Sequence, residues 1–414
     1  MLASFRSAAR AGVVAAIAIA GPAAGAAGEA RPLRSVQAPE AGAEGPATTA
    51  SAAEPPARWI TLPPALGRLR APDLGVVIND ADPYSVAVGE RYVQRRGIDR
   101  SRVLRVTLPV VPRIDAATFD ALRARVDAHF GPRVQALALA WRMPYAVACH
   151  SIGGALALGF EPAFCLDPCG PTGASPYFGA PTDLPFTAFG MRLSMLLAAP
   201  DEATAFALID RGLAADGALH AAAPGAAAAL LQRGTDARRD VRRLLYPPAG
   251  ATPGSPVRVQ HAAAGDWAAP APLLLVQAGT ATLALPAALR WAPGALADHL
   301  TSFGGRLSGD RPQSTVLEWI ASGATASHGT VSEPCNHVQK FPHPQVLLLA
   351  YTQGLTAIEA YWKSVAWPRQ SLFVGEPLAA PFAPPAPFTA PFAPPAQPTA
   401  PFAPPAQFTA PASP

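Results

Sequence analysis

The sequence predicts an α/β fold, a mostly parallel sheet flanked by helices. Two observations carry this expectation. Short apolar runs of strand length alternate with segments of helical period, and helix start and stop residues stand at the borders between them. Strands that alternate with helices pair in parallel through right-handed crossovers.

The elements follow in order. The first apolar run, GVVIND (75–80), ends in Asn79 and Asp80. In the next segment Asp82 caps, Pro83 suits the first turn and Gly97 stops the helix. RVLRVTL (102–108) reads as a second strand, and 114–131 as a helix with Phe119, Leu122, Val126 and Phe130 at helical spacing. VQALALAW (134–141) is a third strand. Sites in such sheets lie at the carboxyl ends of strands. That rule groups Asn79, Asp80 and Asp82 with Trp141–Pro144 as candidate binding residues, although capping and strand termination also account for Asp82 and Asn79.

Residues 149–189 read as a loop rich in Pro, Gly and aromatics. MRLSMLLA (191–198) is a strand and 200–217 a helix. GAAAALLQRG (225–234) reads as a strand. TDARRDVRRLLYPP (235–248) reads as a basic helix whose Arg238, Arg239, Arg242 and Arg243 form a solvated face paired with Asp236 and Asp240. APLLLVQAG (271–279) is a buried strand, 314–325 a short helix, and 343–365 one or two helices.

The flanks differ in kind. Arg6 and Arg10 precede an uncharged apolar stretch, and Ala24 and Ala26 complete a small-residue cleavage pattern, so residues 1–26 read as a Sec-type signal peptide. The apolar stretch is shorter than the roughly 20 residues a membrane span needs. An exported chain, periplasmic or secreted, with no span after cleavage is the expectation. Residues 27–57 are Ala/Pro/Gly/Glu-rich and read as a disordered linker. The body is 58–380, for which a division into sub-domains 58–190 and 191–380 is compatible. From 381 to 414 the chain repeats PFAPPAPFTA, PFAPPAQPTA and PFAPPAQFTA, a Pro-rich extended tail.

Formal charge is +4 and falls to +2 once Arg6 and Arg10 are removed. The arginines of the body are scattered, which argues against a nucleic-acid partner. Four cysteines in an exported chain, Cys149, Cys165, Cys169 and Cys335, point to disulfides with three connectivities open.

The segments VVINDADPYSVAVGERYVQRRGI, MRLSMLLAAPDEATAFALIDRGLAADG, PGALADHLTSFGG, GATASHGTVSEPCNHVQKFPHP and IEAYWKSVAWPRQSLFVGEPLAAPF resemble an uncharacterised family of exported bacterial proteins. That family occurs in species with the exosortase/PEP-CTERM surface-sorting system. The resemblance implies an envelope context, with an envelope protein or an exported polymer as partner. Where an aromatic is expected in SHGTV this chain has His328, which argues against a general catalytic role for it. The order of elements is also similar to gingipain- and caspase-like cysteine peptidases. Those enzymes place His-Gly after one strand and a nucleophilic Cys after the next. Ala278-Gly279 and Ser302-Phe303 stand there instead, so the resemblance implies that scaffold without its dyad.

SHGTVSEPCNHVQKFPHP (327–344) gathers the most reactive side chains. Cys335 with His337 or His328 offers a nucleophile and base. A short Pro-flanked loop and an oxidising compartment favour a disulfide from Cys335 to the distant cysteine loop. Cys335, His337, His343 and Glu333 are zinc-compatible types, but their spacing fits no familiar module, so no metal and no cofactor is assigned. Asp298, His299 and Ser302 carry triad-like chemistry, yet adjacent residues on one element diverge; they are kept as binding candidates. The expected function is a non-catalytic accessory or binding protein of the envelope. A divergent cysteine hydrolase using Cys335 is the alternative, and a metal-dependent hydrolase a lesser one.

Overall fold

A computed structural model describes residues 57–309 and 313–384. The leader, nearly all of the linker, and the repeat tail beyond Pro384 lie outside the described residues. The strands are β1 (Leu74–Asn79), β2 (Val103–Val106), β3 (Arg113–Ile114), β4 (Ala136–Leu139), β5 (Ala146–Val147), β6 (His150–Ser151), β7 (Leu193–Leu196), β8 (Ala227–Arg233), β9 (Gly250–Ala251), β10 (Val257–Ala263), β11 (Leu273–Ala278), β12 (Trp291–His299), β13 (Ala326–Thr330) and β14 (Ser371–Gly375). The helices are α1 (Pro83–Arg96), α2 (Ala116–His129), α3 (Ile152–Leu158), α4 (Pro185–Phe189), α5 (Glu202–Ala215), α6 (Val316–Ser322), α7 (Pro344–Thr352) and α8 (Ala357–Ser364).

Eleven strands form one sheet in the order β2-β1-β4-β7-β14-β13-β12-β11-β8-β10-β9. Neighbours are parallel except β13–β14 and β9–β10. This is the mostly parallel, helix-flanked sheet that the alternating pattern predicts. Its central strands are buried along their whole length, as strands covered on both faces must be. A single sheet runs through both halves of the body, because β14 near the chain end inserts between β7 and β13. A second, three-stranded sheet β3-β5-β6 stands apart.

The local signals act as read. Asp82 accepts from the Tyr84 N–H at the start of α1, and Gly97 ends it with φ +61°. Asp115 and Asp201 cap α2 and α5 through Thr118 and Thr204. Thr315 with Glu318 and Thr356 with Glu359 form capping boxes on α6 and α8. Among the described residues no helix is long and apolar enough to cross a membrane.

Three segments depart from expectation. The 149–189 stretch is not all loop: it holds β6, α3 and α4. Gly153 and Gly154 sit in the first turn of α3, and a Cβ on Gly154 would stand 2.5 Å from the Arg369 carbonyl. The basic helix at 235–248 is instead a turn followed by a 3₁₀ segment, Asp240–Leu245. Burial explains the change, because Arg242 turns inward at 1% exposure and no solvated face exists for it. Finally, Pro381–Ala383, the start of the first repeat, packs with the body. Phe382 lies edge-on to Tyr351 and Leu219 donates to the Pro381 carbonyl at 2.8 Å.

Candidate functional site

β8, β11, β12 and β13 run side by side in parallel, so their carboxyl ends open on one edge of the sheet. A cleft of about 370 Å³ lies there. Its walls come from the turn after β8 (Arg238, Arg239), the segment after β12 (Thr301, Ser302) and the loop after β13 (Glu333, Asn336).

Each wall has its own support. The turn after β8 approaches the end of β11 closely: a Cβ on Gly279 would lie 2.3 Å from the Arg239 carbonyl. Only glycine permits that approach. Arg239 pairs with Asp236, whereas the Arg238 guanidinium has no carboxylate partner among the described residues. On the opposite wall Glu333 Oε1 accepts from the Ser302 hydroxyl at 3.1 Å and the Cys335 N–H at 2.9 Å. Cys335 and Asn336 both hold φ +51°, a region side chains seldom occupy, so this rim is backbone held against its preference.

The rim is tethered as well. Cys335 is bonded to Cys169 and Cys149 to Cys165, and no cysteine is free. The buried Lys340 ammonium donates to the Pro168 carbonyl at 2.7 Å, and Gln370 Nε2 bridges Pro168 and Glu333 carbonyls. The disulfide from Cys335 to the distant loop is therefore present. It corrects the nucleophile reading, because a disulfide sulfur offers no thiolate.

The histidines of that reading are dispersed. His328 is fully buried on β13, and its Nε2 lies 2.9 Å from the Ser371 hydroxyl. That hydroxyl already donates to the Lys340 carbonyl, so His328 is the donor, and its Nδ1 has no partner among the described residues. Burial holds it well below the usual imidazole range. His337 packs against Trp367 at 5.7 Å, and His343 caps α7 through the Val346 N–H. With Cys335 bridged there is no thiol for either to serve as base, and among the described residues they do not gather with Cys335 and Glu333 as a ligand group.

Asp298, His299 and Ser302 do not form a triad. Asp298 is buried, ion-paired with Arg242 and bonded to Gln277 Nε2 at 3.0 Å. Burial pushes its carboxyl up, while Arg242 pulls it back. His299 Nδ1 accepts from Trp319 at 3.0 Å and Nε2 donates to the Ser314 carbonyl at 3.1 Å. Both ring nitrogens are engaged and the ring is neutral. Ser302 alone reaches the cleft. Across the sheet, Asn79 spends its amide on Leu108 and Ala81, Asp80 pairs with Arg105 on the surface, and Asp82 caps α1. These three explain local structure and lie at β1, several strands from the cleft.

Sequence reasoning missed Arg242. Its guanidinium joins Asp298 and the Ala278 carbonyl at 3.1 Å, filling the space between the ends of β11 and β12. An arginine among other arginines carries no local mark of burial, and its partner lies 56 residues away.

Burial lowers His299 to about 4 from an ordinary 6.5. The unfolded chain then takes up the proton first on acidification. The stability contributed is full above pH 6.5 and lost as pH falls towards 4. The stability gap between the wild type and His299→Gln should therefore narrow between pH 6.5 and 4 in urea titrations. A gap constant with pH would mean that His299 is not held neutral by the fold.

Fold and site together define an α/β protein with a disulfide-tethered, arginine-rimmed cleft at the strand ends. Compared with protein-family models, curated proteins and solved structures, the chain matches none.

Proposed function

We propose that the protein is an exported, non-catalytic binding protein of the envelope that holds an acidic group of an exported polysaccharide in the strand-end cleft. The observation that carries this is Arg238, which lines the cleft together with Ser302 and Asn336 and has no carboxylate partner among the described residues. Guanidinium groups bind carboxylates through paired, charge-assisted hydrogen bonds. The cleft falls within the roughly 300–1,000 Å³ of ligand sites. Export rests on the leader, and the link to surface sorting or exopolysaccharide export rests on the resemblance. In this reading the scaffold is the caspase- and gingipain-like one, with the dyad positions given over to Ala278-Gly279 and Ser302-Phe303 and the cleft kept for binding.

Titration calorimetry with a uronic-acid oligosaccharide and a neutral one of equal length tests the proposal. The acidic sugar should bind with an affinity that falls as salt is raised. Arg238→Glu should weaken it at least tenfold while leaving stability unchanged, since Arg238 is exposed. Equal binding of both sugars, binding of neither, or an affinity untouched by Arg238→Glu overturns it.

A further inference from the structure

A second cluster lies away from the cleft, in the small sheet. β5 and β6 form a tight pair in which Val147 faces His150, and Cys149 occupies the turn between them. Cys165 ends the short 3₁₀ segment that follows α3 and is bonded back to Cys149. The ligand atoms of Cys149, His150 and Cys165 all lie within 4.8 Å of one another.

His150 is the anomaly here. It is fully buried, yet among the described residues neither Nδ1 nor Nε2 has a hydrogen-bond partner. Its ring lies between Phe160 at 5.2 Å and Phe164 at 6.3 Å, which supply packing but no acceptor or donor. A buried polar group left unpaired is costly, and in a native structure it calls for an explanation. An imidazole beside two cysteine sulfurs is a donor set suited to zinc.

We propose that the Cys149–Cys165 disulfide is a reducible cover on a zinc site made of Cys149, His150 and Cys165. A dithiol reductant opens it: the reductant is oxidised to its own disulfide and its two hydrogens pass to the two cysteine sulfurs. Zinc then displaces those two protons to solvent and binds two thiolates and the imidazole. Zn–S bonds of about 2.3 Å and Zn–N bonds of about 2.0–2.1 Å place neighbouring tetrahedral donors roughly 3.5–3.8 Å apart. The two sulfurs, bonded to each other in the oxidised chain, must part to reach that spacing, while all three ligand atoms already lie within 4.8 Å. Two thiolates balance the charge of the cation, so the site is neutral beside the Arg369 guanidinium. Both cysteines are partly exposed, which gives a reductant access, and the fourth position is left to water.

The full chain, oxidised and then reduced with a phosphine, is dialysed against zinc and its metal content measured. Cobalt substitution is followed by its sulfur-to-metal absorption. The oxidised protein should hold no zinc and the reduced protein one equivalent. His150→Ala and Cys165→Ser should each lower zinc affinity at least tenfold, whereas Cys169→Ser should keep it. Zinc that follows Cys169 in place of Cys165, or a His150→Ala variant that binds as tightly as the wild type, overturns the proposal. So does a reduced chain that loses its tryptophan emission signature and does not regain it with one equivalent of zinc.

Discussion

Arg242→Met is expected to lower the stability of the protein by about 3–5 kcal/mol, the usual cost of leaving one member of a buried ion pair without its partner. Arg242 and Asp298 are both at or below 1% exposure, and Gln277 and the Ala278 carbonyl complete their hydrogen bonds. Methionine fills similar volume but leaves the Asp298 carboxylate desolvated. The double variant Arg242→Met with Asp298→Asn removes the charge as well and should recover most of the loss. Urea midpoints for the wild type, both single variants and the double form the cycle. A double variant no more stable than Arg242→Met would show that packing, not the ion pair, holds the strand ends together.

Replacing Cys169 and Cys335 together by serine is expected to cost about 2–5 kcal/mol. The bridge closes 166 residues of chain, against 16 for Cys149–Cys165. Loop-closure entropy grows with the logarithm of loop length, so the longer bridge should be the more costly of the two to remove. The loss should also loosen the Glu333–Asn336 rim and, with it, ligand binding in the cleft. Alkylation of the native oxidised protein should label no cysteine. One labelled thiol at Cys335 would refute this bridge and reopen the nucleophile reading.

The strands and helices that the alternating pattern marks are those in which signal and structure are both local. Asp82, Pro83 and Gly97 delimit α1 because capping and left-handed closure involve residues only a few positions apart. β1, β4, β7, β8 and β11 are short apolar runs because strands covered on both faces must be apolar throughout. β14 carries no such mark: SLFVG is too short to show a period, and its place between β7 and β13 is set by partners far away in sequence. The 235–248 segment had helical spacing and acidic partners, yet an inward-turned arginine broke the face.

The candidate site divides in the same way. That Cys335 is bridged is what the even cysteine count and the export expected from the leader anticipate. That its partner is Cys169, and not Cys149 or Cys165, follows only from the packing of the 149–172 segment against the loop after β13. Residue types at 298–302 allowed a triad; hydrogen bonds to Trp319, Ser314 and Arg242 assign Asp298 and His299 to structure and leave Ser302 at the cleft. From the order of residues alone come the α/β class, the borders of α1 and the disulfide chemistry, since each arises from residue types and neighbours along the chain. Partner choice at Arg242, Cys335 and Glu333 comes from the folded sheet. Contacts across tens to hundreds of residues are set by three-dimensional complementarity and leave no period in the sequence.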